Sequence, residues 1–254
     1  MIEKEYFSSD LRRKRKELRE RIVRYVTGPL AERWLDVKID GLENIPEESF
    51  IVAPHHQIGL DGWIIKNEFI KKAKRVIHWW TQFEGVFNSR WRGLLEQFEE
   101  IPLSLKNNKS YPEVIKQSTL WLENTNDIIG IFESPSENGI ERDEVRRLIR
   151  IIPIYDPYRP NFGGAVTLAS KSKKPIVPIS EWCPHEASIK LWQWGYGGPY
   201  RIAQNFGYME AKKKIPYYIQ IGKALHPKQF SNKQELREEV RRSQIEMYIK
   251  IAKD

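Results

Sequence analysis

Phe50-Ile51-Val52-Ala53-Pro54-His55-His56-Gln57-Ile58-Gly59-Leu60-Asp61-Gly62 is the stretch from which the fold is read. Its opening apolar run, Phe50 to Ala53, reads as a buried strand, and it ends where the histidines and the aspartate begin. A helix is expected from Asp61 to Lys74. The segment therefore puts an imidazole and a carboxylate at a strand-to-helix corner, close enough to hydrogen-bond. A carboxylate on one ring nitrogen fixes the tautomer and raises the basicity of the other, which can then take a proton from an alcohol or water. His55, His56 and Asp61 could also hold a metal. No further ligand is evident, so no metal is expected.

Working outward, strands and helices alternate. Strands are expected at 37–39, 50–53, 75–80, 101–103, 127–132, 175–179 and 217–221, and helices at 9–27, 30–35, 61–74, 90–98, 111–124, 165–170 and 233–252. There is no internal repeat or low-complexity tract. The pattern predicts a single α/β domain with a largely parallel or mixed central sheet and helices on both faces. It is preceded by an N-terminal basic amphipathic helix, so residues 1–35 are expected as a helical region and 36–254 as the α/β domain. The stretch Glu181–Lys214, rich in Trp, Tyr and Gly, does not resolve into elements.

The chain has 254 residues with 9 Trp, enough apolar and aromatic surface for a substantial core. One cysteine, Cys183, excludes an internal disulfide and a cysteine-based zinc site. No apolar run approaches the roughly 20 residues that span a bilayer. With no secretory signal pattern, the expected location is cytoplasmic. The formal charge is +8, and Arg12, Arg13, Lys14, Arg15, Lys16, Arg19, Arg21 and Arg24 concentrate it near the start. Such charge attracts phospholipid headgroups, nucleic acid or an acidic carrier protein. Leu11, Leu18, Ile22 and Val26 form one apolar stripe on that helix, which suits a membrane surface or simple packing on its own domain. The aromatics are not interleaved with the basic run and no nucleic-acid motif is present, so nucleic acid is not the expected partner.

Several blocks, in order, resemble the glycerolipid acyltransferases, the family of lysophosphatidic acid and glycerol-3-phosphate acyltransferases. Gly41-Leu42-Glu43-Asn44-Ile45-Pro46, then the apolar strand, His56 and Asp61, is similar to the family's "G-x-E-N-[IL]-P … N-H-x4-D" opening. Ile101-Pro102-Leu103-Ser104-Leu105-Lys106 resembles its second block, and Gly130-Ile131-Phe132-Glu133-Ser134-Pro135 stands where it has "G-I-F-P-E-G-T-R-S". Phe162-Gly163-Gly164-Ala165 with Lys174-Pro175-Ile176-Val177-Pro178-Ile179, and Ile219-Gln220-Ile221-Gly222-Lys223, resemble the later blocks. Two departures stand out. His55 replaces the usual Asn, so the spacing to Asp61 selects His56. The third block lacks the family's Arg, and either Glu133 or Glu137 takes the place of its Glu.

The resemblance implies an acyltransferase. His56 would be the general base on an acceptor hydroxyl such as that of lysophosphatidic acid, with Asp61 orienting it. Acyl-CoA or acyl-carrier protein would be the thioester co-substrate, with no other cofactor. Backbone N–H groups at the start of the following helix or near Ser134 would receive the oxyanion. Glu133, Ser134, Lys106 and Arg142 are the expected substrate-binding residues, with Lys106, Arg142, Arg146 or Arg147 taking an acceptor phosphate if there is one. The missing Arg leaves acyl transfer to a non-phosphorylated acceptor open. Hydrolysis of a thioester or ester, or non-catalytic binding of lipid or nucleic acid on the same fold, remain as alternatives. A peripheral position on the inner face of the cell membrane, against anionic lipids, is expected.

Overall fold

The computed structural model describes residues 10–22, 25, 32–33, 35–54, 61–82, 98–104, 110–132, 163–184 and 214–253. Seven strands form one sheet: β1 (Leu35–Asp40), β2 (Phe50–Pro54), β3 (Ile77–Gln82), β4 (Ile101–Leu103), β5 (Ile128–Gly130), β6 (Ile176–Trp182) and β7 (Ile215–Ile221). Their order is β1-β7-β6-β2-β5-β3-β4. Every neighbouring pair is parallel except β6 with β7. The described α-helices are α1 (Asp10–Ile22), α2 (Asp61–Glu68), α3 (Ser110–Asn124), α4 (Gly164–Ser172) and α5 (Lys233–Lys253). The α/β class with helices on both faces is the observed architecture.

Alternation of side chains along each strand divides the core into two layers. On one face α2 lays Ile64, Ile65 and the following Phe69 against Phe50, Val52, Ile77, Val177, Ile179 and Tyr217. On the other, α3, α4 and α5 cover Ile51, Ala53, Ile129 and Ile176 with Ile115, Trp121, Leu168, Leu236 and Val240. β2 is buried on both faces, which is why its sequence is a continuous apolar run rather than an alternating one. Full burial of each such side chain stabilises by about 1.5–3 kcal/mol.

Two of the family-like blocks have a local structural reason. Gly41 sits at φ 83, and a Cβ there would lie 2.2 Å from the Ile221 carbonyl oxygen. Asn44 Nδ2 donates to that same oxygen at 3.0 Å, tying the turn after β1 to the end of β7. At Gly130, a Cβ would lie 2.1 Å from the Trp79 ring, so the strand closes against that ring only with glycine.

The boundaries depart from expectation in informative ways. β1 starts at Leu35 and β7 at Ile215, because the two pair with each other and Leu35 is buried. The expected helix at 30–35 therefore gives way to strand at its last residue. α2 is followed by a π-turn over Phe69–Ala73 that ends on Lys74 at φ 56, a left-handed cap of the sort that costs a non-glycine residue roughly 1–2 kcal/mol. β5 stops at Gly130, short of the expected 132. β6 runs on to Trp182, past the expected end at Ile179, and so takes in Glu181 from the stretch that had resolved into no element. The expected helix at 90–98 lies outside the described residues, except for Phe98 in a turn.

The N-terminal helix is fastened to this core by charge. Arg19 is buried and pairs with Glu99, which Arg15 also approaches at 3.5 Å. Ile22 packs on Ile70, Val76 and Phe98, while Leu18 stands exposed. The stripe expected to face lipid is thus divided, with Ile22 inward and Leu18 outward. Among the described residues, no helix is long and apolar enough to cross a membrane.

Candidate active site

In an open α/β sheet, ligands bind beyond the carboxyl ends of the parallel strands, where adjacent connections run to opposite faces. Here the chain leaves β2 by α2 on one face, whereas β5 and β6 on either side of β2 are entered from α3 and α4 on the other. The register Phe50↔Ile128 and Val52↔Gly130 brings the ends of β2 and β5 to one edge. The register Trp80↔Ile101 brings β3 and β4 to the same edge. Pro54 ends β2 just before His55, Phe132 directly precedes Glu133, and Ser104 stands two residues before Lys106. His56, Glu133, Ser134, Lys106 and Arg142 themselves lie outside the described residues.

Asp61 is described. It is the first residue of α2 and fully buried. The unpaired N–H groups of a helix's first turn and the helix dipole favour a carboxylate at that position. Two contacts hold the corner. Trp79 Nε1 donates to the Gly62 carbonyl oxygen at 2.9 Å, and its ring stacks on Phe132 at 4.7 Å and 21°. β3 thereby links the residue after Asp61 to the residue before Glu133. On the opposite face, the Gln244 side-chain amide of α5 donates to the Ala53 backbone carbonyl at 2.6 Å, and the Gln244 backbone carbonyl accepts from Ser180 Oγ at 2.5 Å. That ties the ends of β2 and β6 to α5.

Behind Asp61 lies a group of residues that sequence reasoning missed. Glu181 on β6 and Tyr217 on β7 are both fully buried, and the Tyr217 hydroxyl donates to Glu181 Oε2. Burial raises the Glu181 carboxyl well above its ordinary value, the Asp61 charge adds to the effect, and the Tyr217 bond opposes it. The Cys183 thiol is pushed up as well, by burial and then by Glu181 and Asp61. It stays a thiol, so its sulfur is poorly suited to act as a nucleophile. The sequence signal that could have found Glu181 is an acid in phase with Val177 and Ile179 on an otherwise apolar strand face.

A second buried charge group lies under α2. Lys66 pairs with Glu100, which also accepts the Trp79 backbone N–H at 2.5 Å. Burial lowers Lys66 and raises Glu100, and each opposes the shift of the other. His78 lies between the Glu99 carbonyl oxygen at 3.1 Å and Asp127 at 3.3 Å, with its ring stacked on Trp121. Burial lowers the His78 pKa. This histidine is a satisfied core residue. Among the described residues, no group of three or more His, Cys, Asp or Glu side chains could hold a metal ion.

Strand ends gathered at one edge, with a buried aspartate opening the helix after the central strand, agree with what the whole sequence says of its class. The Acyltransferase family matches residues 36–182, more than half of the chain, and the chain belongs to that family. Among solved structures it is similar to the 1-acyl-sn-glycerophosphate (LPA) acyltransferase PlsC from Thermotoga maritima. The two share 17% identity and a TM-score of 0.53 over 92% of this chain and 82% of that one. At that identity the likeness is one of fold. No curated protein matches the chain in sequence.

Proposed function

We propose that the protein transfers an acyl group from a thioester donor to the hydroxyl of a glycerolipid-type acceptor, with His56 as general base and Asp61 as the carboxylate that orients it. The observation that carries this reading is the position of Asp61. It is buried in the first turn of α2, five residues beyond His56 on the segment that leaves the end of β2. A carboxylate so placed cannot be solvated by bulk water. The helix terminus stabilises it, and a buried carboxylate of this kind is suited to orient the imidazole of His56.

The acceptor hydroxyl gives its proton to the imidazole as its oxygen bonds to the thioester carbonyl carbon. The tetrahedral oxyanion collapses, the C–S bond breaks, and the thiolate leaves. No acyl-enzyme is required, and the raised pKa of Cys183 supports that route. Membership of the Acyltransferase family supports acyl transfer, and the fold-level likeness to an enzyme acting on 1-acyl-sn-glycerophosphate makes lysophosphatidic acid the first acceptor to test.

A specific observation keeps a second acceptor class in view. After Phe132 the chain carries Glu133 and Glu137 and no Arg in the third block, and an acid repels phosphate where a guanidinium would grip it. Release of the donor thiol from an acyl-CoA should therefore be followed with lysophosphatidic acid, glycerol-3-phosphate and an uncharged monoacylglycerol in turn. Transfer to any of them, lost in His56→Ala, supports the reading. Thiol release that needs no acceptor would instead identify a hydrolase.

A further inference from the structure

Glu181 is a buried acid that the reaction as described does not use. Its side chain is completely covered, Oε2 accepts the Tyr217 hydroxyl, and Oε1 has no partner among the described residues. Register fixes where it stands. Pro54, the last residue of β2, pairs with Ile179, so Glu181 lies two positions beyond the end of β2, at the edge where Asp61 opens α2. It shares the α2-covered face with Val177 and Ile179. Among the described residues, Asp61 from α2 and Tyr217 from β7 are the titratable groups that act on it, and it acts in turn on Cys183 just beyond β6.

Two buried carboxyl groups that feel each other do not both ionise readily. The helix terminus favours charge on Asp61, whereas no cation pairs with Glu181 among the described residues. We infer that Glu181 is a positioning residue of the acyl-transfer site: it keeps a proton beside Asp61, and so leaves Asp61 as the single anion that holds the imidazole. The inference rests on the roles given above to His56 and Asp61. Its consequence is an alkaline limit on the reaction. Once Glu181 loses its proton, its charge repels the Asp61 carboxylate, and the orientation that Asp61 gives the imidazole is disturbed.

The pH dependence of kcat/KM, measured with palmitoyl-CoA and the acceptor that supports transfer, tests this on the full chain. The wild-type protein is expected to lose activity at alkaline pH. Glu181→Gln, which cannot ionise, should be about threefold slower at neutral pH, as for one weakened hydrogen bond, and should lack the alkaline loss. Tyr217→Phe removes the bond that favours the Glu181 anion, so its alkaline loss should move to higher pH. An alkaline loss in Glu181→Gln that superimposes on the wild-type one, with the variant folded by circular dichroism, would overturn the inference. His56→Ala separates the two claims. Full activity there overturns the base assignment itself, whereas an inactive His56→Ala with unshifted Glu181 profiles overturns only the role of Glu181.

Discussion

The indole N–H of Trp79 donates to the carbonyl oxygen of Gly62 at 2.9 Å. A residue of β3 thus holds the first turn of α2, and with it Asp61, at the end of β2. The same ring lies over Gly130 and stacks on Phe132. Trp79→Phe keeps an aromatic ring but leaves the Gly62 carbonyl without this donor. A net hydrogen bond contributes about 1 kcal/mol, so kcat/KM should fall about fivefold with little change in fold. Steady-state kinetics beside a thermal melt would show whether the loss is in rate rather than in stability.

Lys66 and Glu100 form a buried pair beneath the same helix. Removing one partner strands the other charge, and Glu100 is also the acceptor for the Trp79 backbone N–H. Lys66→Met and Glu100→Gln should each destabilise by about 3–5 kcal/mol, and Lys66→Met with Glu100→Gln together by clearly less than their sum. Urea unfolding of the three variants closes the cycle, and simple additivity would mean the two side chains are not coupled.

Glu181 should also shape stability against pH. Its folded pKa lies well above the ordinary 4.5, so below about pH 4.5 it is protonated whether the chain is folded or not. Above that, only the folded state keeps the proton, and stability falls as pH rises. Relative to Glu181→Gln, the wild type should therefore lose stability progressively as pH rises above about 4.5. Denaturant midpoints of the two proteins at several pH values measure that loss, and parallel curves would refute the raised pKa.

α1 presents Lys14, Leu18 and Arg21 outward while Arg19 is buried against Glu99. If the outward face meets anionic lipid, each basic residue near the surface contributes about 1 kcal/mol. Lys14→Glu with Arg21→Glu should then sharply reduce flotation with phosphatidylglycerol vesicles, as added salt should. Deleting the whole helix would be a poorer test, because it would uncover Glu99. Undiminished flotation of the charge-reversed protein would exclude this face as the contact.

Much of the fold was legible in the sequence, for identifiable reasons. Phe50–Ala53 announces a strand buried on both faces, and Asp61 a helix start, because the rules that govern them are local. Gly41 and Asn44 carry a turn whose purpose is a single carbonyl, that of Ile221. What was not legible depends on distant partners. Leu35 and Ile215 enter strands because they pair with each other, and Arg19 leaves the basic face of its helix because Glu99 waits beneath it. Glu181 falls among tryptophans and glycines in sequence, and only the register with β2 reveals that it stands behind Asp61.

The base assignment is tested most directly by acyl transfer from palmitoyl-CoA in His56→Ala, followed by product mass rather than by thiol release alone. Loss of a general base costs about 10²–10⁴-fold in rate. The expected result is therefore a folded protein with kcat reduced by at least two orders of magnitude, and Asp61→Asn should be impaired in the same direction. Transfer at the wild-type rate by folded His56→Ala would contradict the account.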